Sequence, residues 1–109
     1  MITVDLDTKS MPNLSAAYGK ALRYGRTRVT ETTKGYHLRI HSDIRDPLEI
    51  CRIRKLIGDD PKRIEHDMVF IELGHEELAN RLFEYKKVNG EYVREKPFDV
   101  RKLTEVRMK

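Results

Sequence analysis

Two aspartates two residues apart, Asp5 and Asp7, sit in the alternating run Ile2-Thr3-Val4-Asp5-Leu6-Asp7. In extended backbone they share one face, about 7 Å apart. Carboxylates so placed can give oxygen ligands to Mg²⁺ or Mn²⁺. Without a cation they repel one another, and Asp is depleted inside strands. The plain alternative is that Asp7 has left the strand and caps the turn before Pro12.

A second group is Thr32-Thr33-Lys34-Gly35-Tyr36-His37. A hydroxyl-rich turn with Gly at its apex offers backbone N–H groups, and Lys34 and His37 add polar contacts suited to phosphate oxygens. A hairpin turn uses the same residue types for its own geometry. A third group, Arg63-Ile64-Glu65-His66-Asp67, supplies a third acid, Asp67 or Glu72, if the next segment lies beside the first strand. An exposed turn is the alternative there.

These residues need elements to position them. Period-two alternation predicts strands over 2–6 and 36–41, and β-branched residues predict one over 27–32. Helical spacing of Leu14, Ala17, Tyr18, Ala21 and Leu22 predicts a helix closed by Gly25. Asp46 as N-cap with Pro47 at N1 predicts a helix to Ile57, ended by Gly58. Asp60-Pro61 opens a short helical turn through Glu65. The apolar run Met68–Leu73 predicts a fourth, central strand. A helix is expected from His75 to about Leu82, and a hairpin over 85–93 around Asn89-Gly90.

The resulting β-α-β-β-α-β order is an α+β, RRM-like or ferredoxin-like sheet with helices on one face and a predicted strand order of 4-1-3-2. Strand parity puts Ile2, Val4, Leu6, Tyr36, Leu38 and Ile40 toward the helices. Thr3, Asp5, Asp7, His37, Arg39 and His41 then face outward on adjacent central strands.

The 109 residues allow one domain. The expected division is 1–95 as one unit (core 1–73, appended helix and hairpin 74–95) and 96–109 as a basic tail. The net charge of +4 is unevenly spread: residues 20–39 carry +5 and residues 96–109 carry +3. One cysteine excludes an internal disulfide framework, and no apolar run reaches membrane-span length. The first residues lack a signal-peptide pattern. Together these features predict a cytoplasmic protein.

Taken in order, the three groups resemble the motifs of the archaeo-eukaryotic primase superfamily. Val4-Asp5-Leu6-Asp7 is similar to its hDhD motif. Thr33-Lys34-Gly35-Tyr36-His37 is similar to the motif that ends in a strand-borne His. Asp67 matches the third acidic motif less cleanly, and Glu72 less well again. The resemblance spans roughly residues 1–73. It implies metal-dependent nucleotidyl transfer in DNA replication, on a DNA or RNA template. Asp5, Asp7 and Asp67 would then be catalytic metal ligands for Mg²⁺ or Mn²⁺. His37 would be a catalytic phosphate contact, with Thr33, Lys34, Gly35 and Arg39 also facing the nucleotide and Arg26 and Arg28 following the nucleic-acid backbone.

Two other readings compete. One is a non-catalytic nucleic-acid-binding module of RRM-like shape, although the expected open face of the first and third strands has no aromatic side chain for base stacking. The other is a small assembly protein of a mobile element. Its tail residues Phe98, Val100, Leu103 and Val106 would meet a second copy or a replication partner.

Overall fold

Ile2, Val4 and Leu6 fill the centre of the molecule, as their alternation requires. The molecule is described from a computed structural model covering residues 1–82, 85–88 and 91–103. Strand β1 is Ile2–Leu6, helix α1 Met11–Ala21, β2 Arg26–Glu31 and β3 Tyr36–His41. Helices α2, Pro47–Ile57, and α3, Pro61–Glu72, follow, then a 3₁₀ turn at Glu76–Leu78. Strands β4, Tyr85–Val88, β5, Glu91–Arg94, and β6, Lys96–Pro97, complete the described elements.

Each main helix begins where the side-chain chemistry says it should. Ser10 accepts a hydrogen bond from Asn13 N, Asp46 from Leu48 N and Asp60 from Lys62 N. These bonds satisfy amides that have no partner inside the helix. Gly58 ends α2 with φ of 115°, a left-handed conformation that a Cβ would strain.

The fold is α+β with a four-stranded antiparallel sheet in the order β1-β3-β2-β6. Its core joins Leu14, Ala17 and Ala21 of α1 and Ile53 and Ile57 of α2 to the inner sheet face. The register sets Asp5 opposite His37 and Arg28 opposite Arg39.

The strand predicted over Met68–Leu73 is instead the second half of α3. An apolar run of this length does not distinguish a strand from a helix by periodicity. The capped start at Asp60-Pro61 propagates as a helix, and its buried residues are Ile64 and Asp67, one turn apart. Met68, Val69 and Leu73 stay exposed. Among the described residues no strand therefore lies outside β1, and the predicted order 4-1-3-2 is replaced by one in which β6 flanks β2.

The helix expected from His75 to Leu82 is only the 3₁₀ turn. Strands β4 and β5 do pair antiparallel, while the Asn89-Gly90 turn lies outside the described residues. The expected boundary after residue 95 falls inside the folded unit. Lys96 and Pro97 pair with β2, Phe98 packs edge-on against Tyr36 with ring centroids 5.2 Å apart, and Leu103 is buried in the core. Val106 lies outside the described residues.

Candidate nucleic-acid interface

The outward face of the sheet carries the row that strand parity predicts. Asp5 on β1 and His37 on β3 are cross-strand neighbours, with His37 Nε2 3.6 Å from Asp5 Oδ1. The other ring nitrogen, Nδ1, lies 2.6 Å from Glu95 Oε2. Glu95 Oε1 in turn pairs with Arg39 Nη1 at 2.8 Å, and Arg39 also donates to Thr30 Oγ1. His37 and Arg39 are buried, and Glu95 is half-buried with its side chain 8% exposed. Burial raises the pKa of Glu95, but hydrogen bonds from Arg39 and His37 outweigh it and hold the carboxyl below its ordinary value. Burial pushes Asp5 up, only partly offset by His37 and Arg63. The row fixes the imidazole between two carboxylates. A phosphate reaching His37 or Arg39 must first displace Glu95.

Asp7 lies past the end of β1 and is exposed. The turn at 32–35 packs against this end of β1. A Cβ on Gly35 would stand 1.7 Å from Leu6 O, so only Gly permits the approach. Gly35 N already donates to Thr32 Oγ1, and Thr32 N to Gly35 O. Thr33 and Lys34 are exposed at the tip. Asp5, Asp7, His37 and this turn thus belong to one end of the sheet.

Asp67 does not belong to that group. It lies on α3, buried, with Oδ2 2.7 Å from Arg54 Nη1 and accepting a hydrogen bond from Asn80 N. Arg54 is fully buried and its Nε lies 2.7 Å from Asp59 Oδ2. Arg63 Nη1 reaches the same oxygen at 2.7 Å. Burial lowers the pKa of Arg63, against the pull of Asp59. Burial also works against the charge on Arg54, but Asp59 and Asp67 more than restore it. Glu72, the other candidate acid, is exposed near the end of α3.

Sequence reasoning passed over Arg54, Asp59 and Asn80. A signal was present: Arg54 falls on the same helical stripe as Ile50, Cys51 and Ile57. An arginine there must find buried anions, and Asp59 lies five residues on. The three-acid metal centre implied by the resemblance does not fit this arrangement, because Asp67 is engaged by Arg54 and Asn80. Among the described residues no group of three His, Cys, Asp or Glu side chains is placed to hold a metal ion.

The arginines of the sheet and of the α2–α3 network differ from those at the start of β2. Arg39, Arg54 and Arg63 are each paired with a carboxylate. Arg23, Arg26 and Arg28 are exposed, and no ion pair engages them among the described residues. Arg26 and Arg28 alternate on β2 with Thr27 and Val29, which point into the core, so both extend over the outer face. Arg23 precedes them in the turn after α1.

No protein-family model, curated protein or solved structure matches the chain. No helix among the described residues is long and apolar enough to cross a membrane.

Proposed function

We propose that the chain is a nucleic-acid-binding module that contacts the phosphate backbone through Arg23, Arg26 and Arg28. The observation that carries this reading is that these three arginines are exposed and make no ion pair among the described residues, whereas those near β1 and at the sheet centre neutralise buried acids. Exposed cations without acidic partners favour a polyanion by releasing its counterions. Lys34, exposed at the tip of the 32–35 turn, adds a further positive charge. Sequence-tolerant binding follows from a face that offers charge and, in the described strands β1 to β3, no outward aromatic ring.

The test is fluorescence anisotropy of a labelled single-stranded oligonucleotide across a salt series. Native protein should bind with affinity that falls steeply as salt rises. Arg26→Ala/Arg28→Ala should weaken binding and reduce the slope of log K against log salt by about 1.4, two contacts at about 0.7 each. Unchanged affinity and slope in that variant overturn the reading.

Nucleotidyl transfer is the second reading, supported by the Asp5–His37 neighbourhood and the turn packed beside it. Its test is template-directed synthesis with nucleotides and Mn²⁺. Product that disappears in both Asp5→Asn and His37→Ala supports it, and product that survives both removes it. A Mn²⁺-dependent rise in melting temperature, lost in Asp5→Asn/Asp7→Asn, would place the metal at the same acids.

A further inference from the structure

Exposed apolar side chains concentrate on the α2–α3 hairpin. Of the eight large apolar residues that stand exposed among the described residues, five belong to it: Leu48 and Leu56 on α2, and Met68, Val69 and Leu73 on α3. Their spacing makes two stripes. Leu48, Arg52 and Leu56 follow one another at intervals of four and share one side of α2. Val69 and Leu73 are one turn apart on α3, and Met68 lies one turn from Glu65 and from Glu72. Both stripes turn away from the interior, which α2 meets through Ile53 and Ile57 and α3 through Ile64 and Asp67. Single exposed apolar residues are ordinary on a surface, but a cluster on one unit marks a contact site.

The charges on the two stripes differ in sign. On the outer side of α2, Arg52 and Lys55 are exposed, and the acid there, Glu49, is held by Arg52. On the outer side of α3, Glu65 and Glu72 are exposed and make no ion pair among the described residues, against one cation, Lys62. The α2 stripe is therefore net positive and the α3 stripe net negative. A uniformly basic or acidic partner would match one stripe and oppose the other. A second copy matches both, because each chain carries the two halves of a self-complementary surface.

The hairpin itself sets the orientation. Arg54 meets Asp67, and Ile50 and Ile71 line one cavity between the helices, so α2 and α3 run antiparallel. A two-fold axis along the helices lays α2 of each copy antiparallel on α3 of the other. Leu48 then comes toward Leu73, and Lys55 toward Glu65. The aliphatic stems of Arg52 and Lys55 extend the apolar contact. We infer that the outer face of the α2–α3 hairpin is a docking surface for a second copy of this chain, the two stripes of each meeting in a symmetric dimer. Helices of 11 and 12 residues give a face about 17 Å long. That is small for a dimer interface, so the association is weak and reversible. Because α2 packs on the inner side of the sheet, the dimer leaves Arg26 and Arg28 free on the outer side of both copies.

The test is sedimentation velocity of the whole chain without nucleic acid, from micromolar to near-millimolar concentration at low salt. Native protein should pass from the mass of one chain to that of two, and added salt should move the transition to higher concentration. Lys55→Glu and Glu65→Lys should each stay monomeric where native protein is dimeric, because like charges then oppose each other twice. Their equimolar mixture should dimerise, since each new charge meets its opposite on the other chain. Leu73→Ser, at a side chain 67% exposed in the single chain, should raise the dissociation constant severalfold and leave the unfolding midpoint of dilute protein unchanged. One-chain mass for native protein at every concentration, growth past two chains, charge variants that dimerise like native protein, or a mixture that stays monomeric each overturn the inference.

Discussion

The two outer edges of the sheet are closed in opposite ways. Along β1, every outward backbone group of Thr3 and Asp5 is taken by a group that is not a strand. Thr3 N donates to Asn80 Oδ1 and Asp5 N to Asp59 Oδ1. Thr3 O accepts from Arg63 Nη1 and Asp5 O from Asp60 N. Arg63 Nη2 also contacts Thr3 Oγ1. Along β2, the two-residue β6 covers Thr30 and Glu31, and Phe98 N reaches Val29 O. The Arg26–Arg28 end of that edge has no strand beside it among the described residues. An unpaired edge invites pairing with another chain. The β1 side avoids this by burying charge, and the β2 side by exposing it. Arginine therefore has two roles here that composition cannot separate.

The sharpest way to break this comparison is to remove Asp59. Asp59→Ala strips both Arg54 and Arg63 of a carboxylate and leaves Asp5 N and Asp60 N without their acceptor. Removing one partner of a buried ion pair costs about 3–5 kcal/mol. Urea unfolding should show a loss of that size, while Arg23→Ala on the exposed side should stay within about 0.5 kcal/mol of native. Equal small losses at both positions would mean that the buried network does not hold the β1 edge.

Leu103→Ala should come next, at roughly 3 kcal/mol, because Leu103 is buried in the shared core and a truncated core leucine leaves a cavity. The segment after β5 would then be part of the unit that closes the β2 edge. An unfolding midpoint within error of native in this variant would return residues 96–103 to the status of a tail.

How much of this was legible depended on whether local rules and tertiary demands agreed. Alternation in 2–6 and 36–41, and the caps at Asp46 and Asp60, are local signals, and the elements they predict are present. The outward placement of Asp5 and His37 on neighbouring strands followed from parity and the expected topology, and the register that sets them opposite one another is seen only in the structure. Met68–Leu73 failed because five apolar residues in a run of six fit either period, and the capped helix before them decided the matter. The third acid failed with it, since Asp67 changes from a strand-borne ligand into the partner of a buried arginine. Asn80 and Glu95 were beyond reach. Each acts on residues more than 50 positions away, and nothing in their neighbours announces it. Their positions depend on a chain path that runs from the β1 edge at Asn80 to the β2 edge at Lys96.

Between the two edges, Glu95 makes stability depend on acid. Its carboxyl is held below its ordinary 4.5 by Arg39 and His37, despite burial. The unfolded chain therefore binds the proton more readily. Glu95 contributes its full stabilisation above about pH 4.5 and loses it as pH falls through the lower folded value. Thermal melts from pH 7 down to pH 3 should show a steeper acid limb in native protein than in Glu95→Gln, which is also less stable at pH 7 because Arg39 loses its charged partner. Parallel profiles for the two proteins would detach Glu95 from the acid limb.

The smallest expected effect has the opposite sign and falls on β1 itself. Burial raises Asp5 above its ordinary 3.8, so keeping it ionised at neutral pH opposes folding. The folded state binds the proton more readily, and stability falls as pH rises from that value through the raised one. The backbone of Asp5 is fully used by Asp59 and Asp60, while its side chain, 35% exposed, faces His37 at 3.6 Å. Asp5→Asn keeps the backbone bonds and removes the charge. Its melting temperature at pH 7 should therefore rise by a small margin, and the gain should vanish as pH falls below the ordinary 3.8, where Asp5 is protonated folded or unfolded. A drop at pH 7 would make Asp5 a structural partner of His37, similar in kind to Asp59. A rise would mark it as an acid retained against stability on an otherwise neutralised face, the signature of a group kept for binding or chemistry.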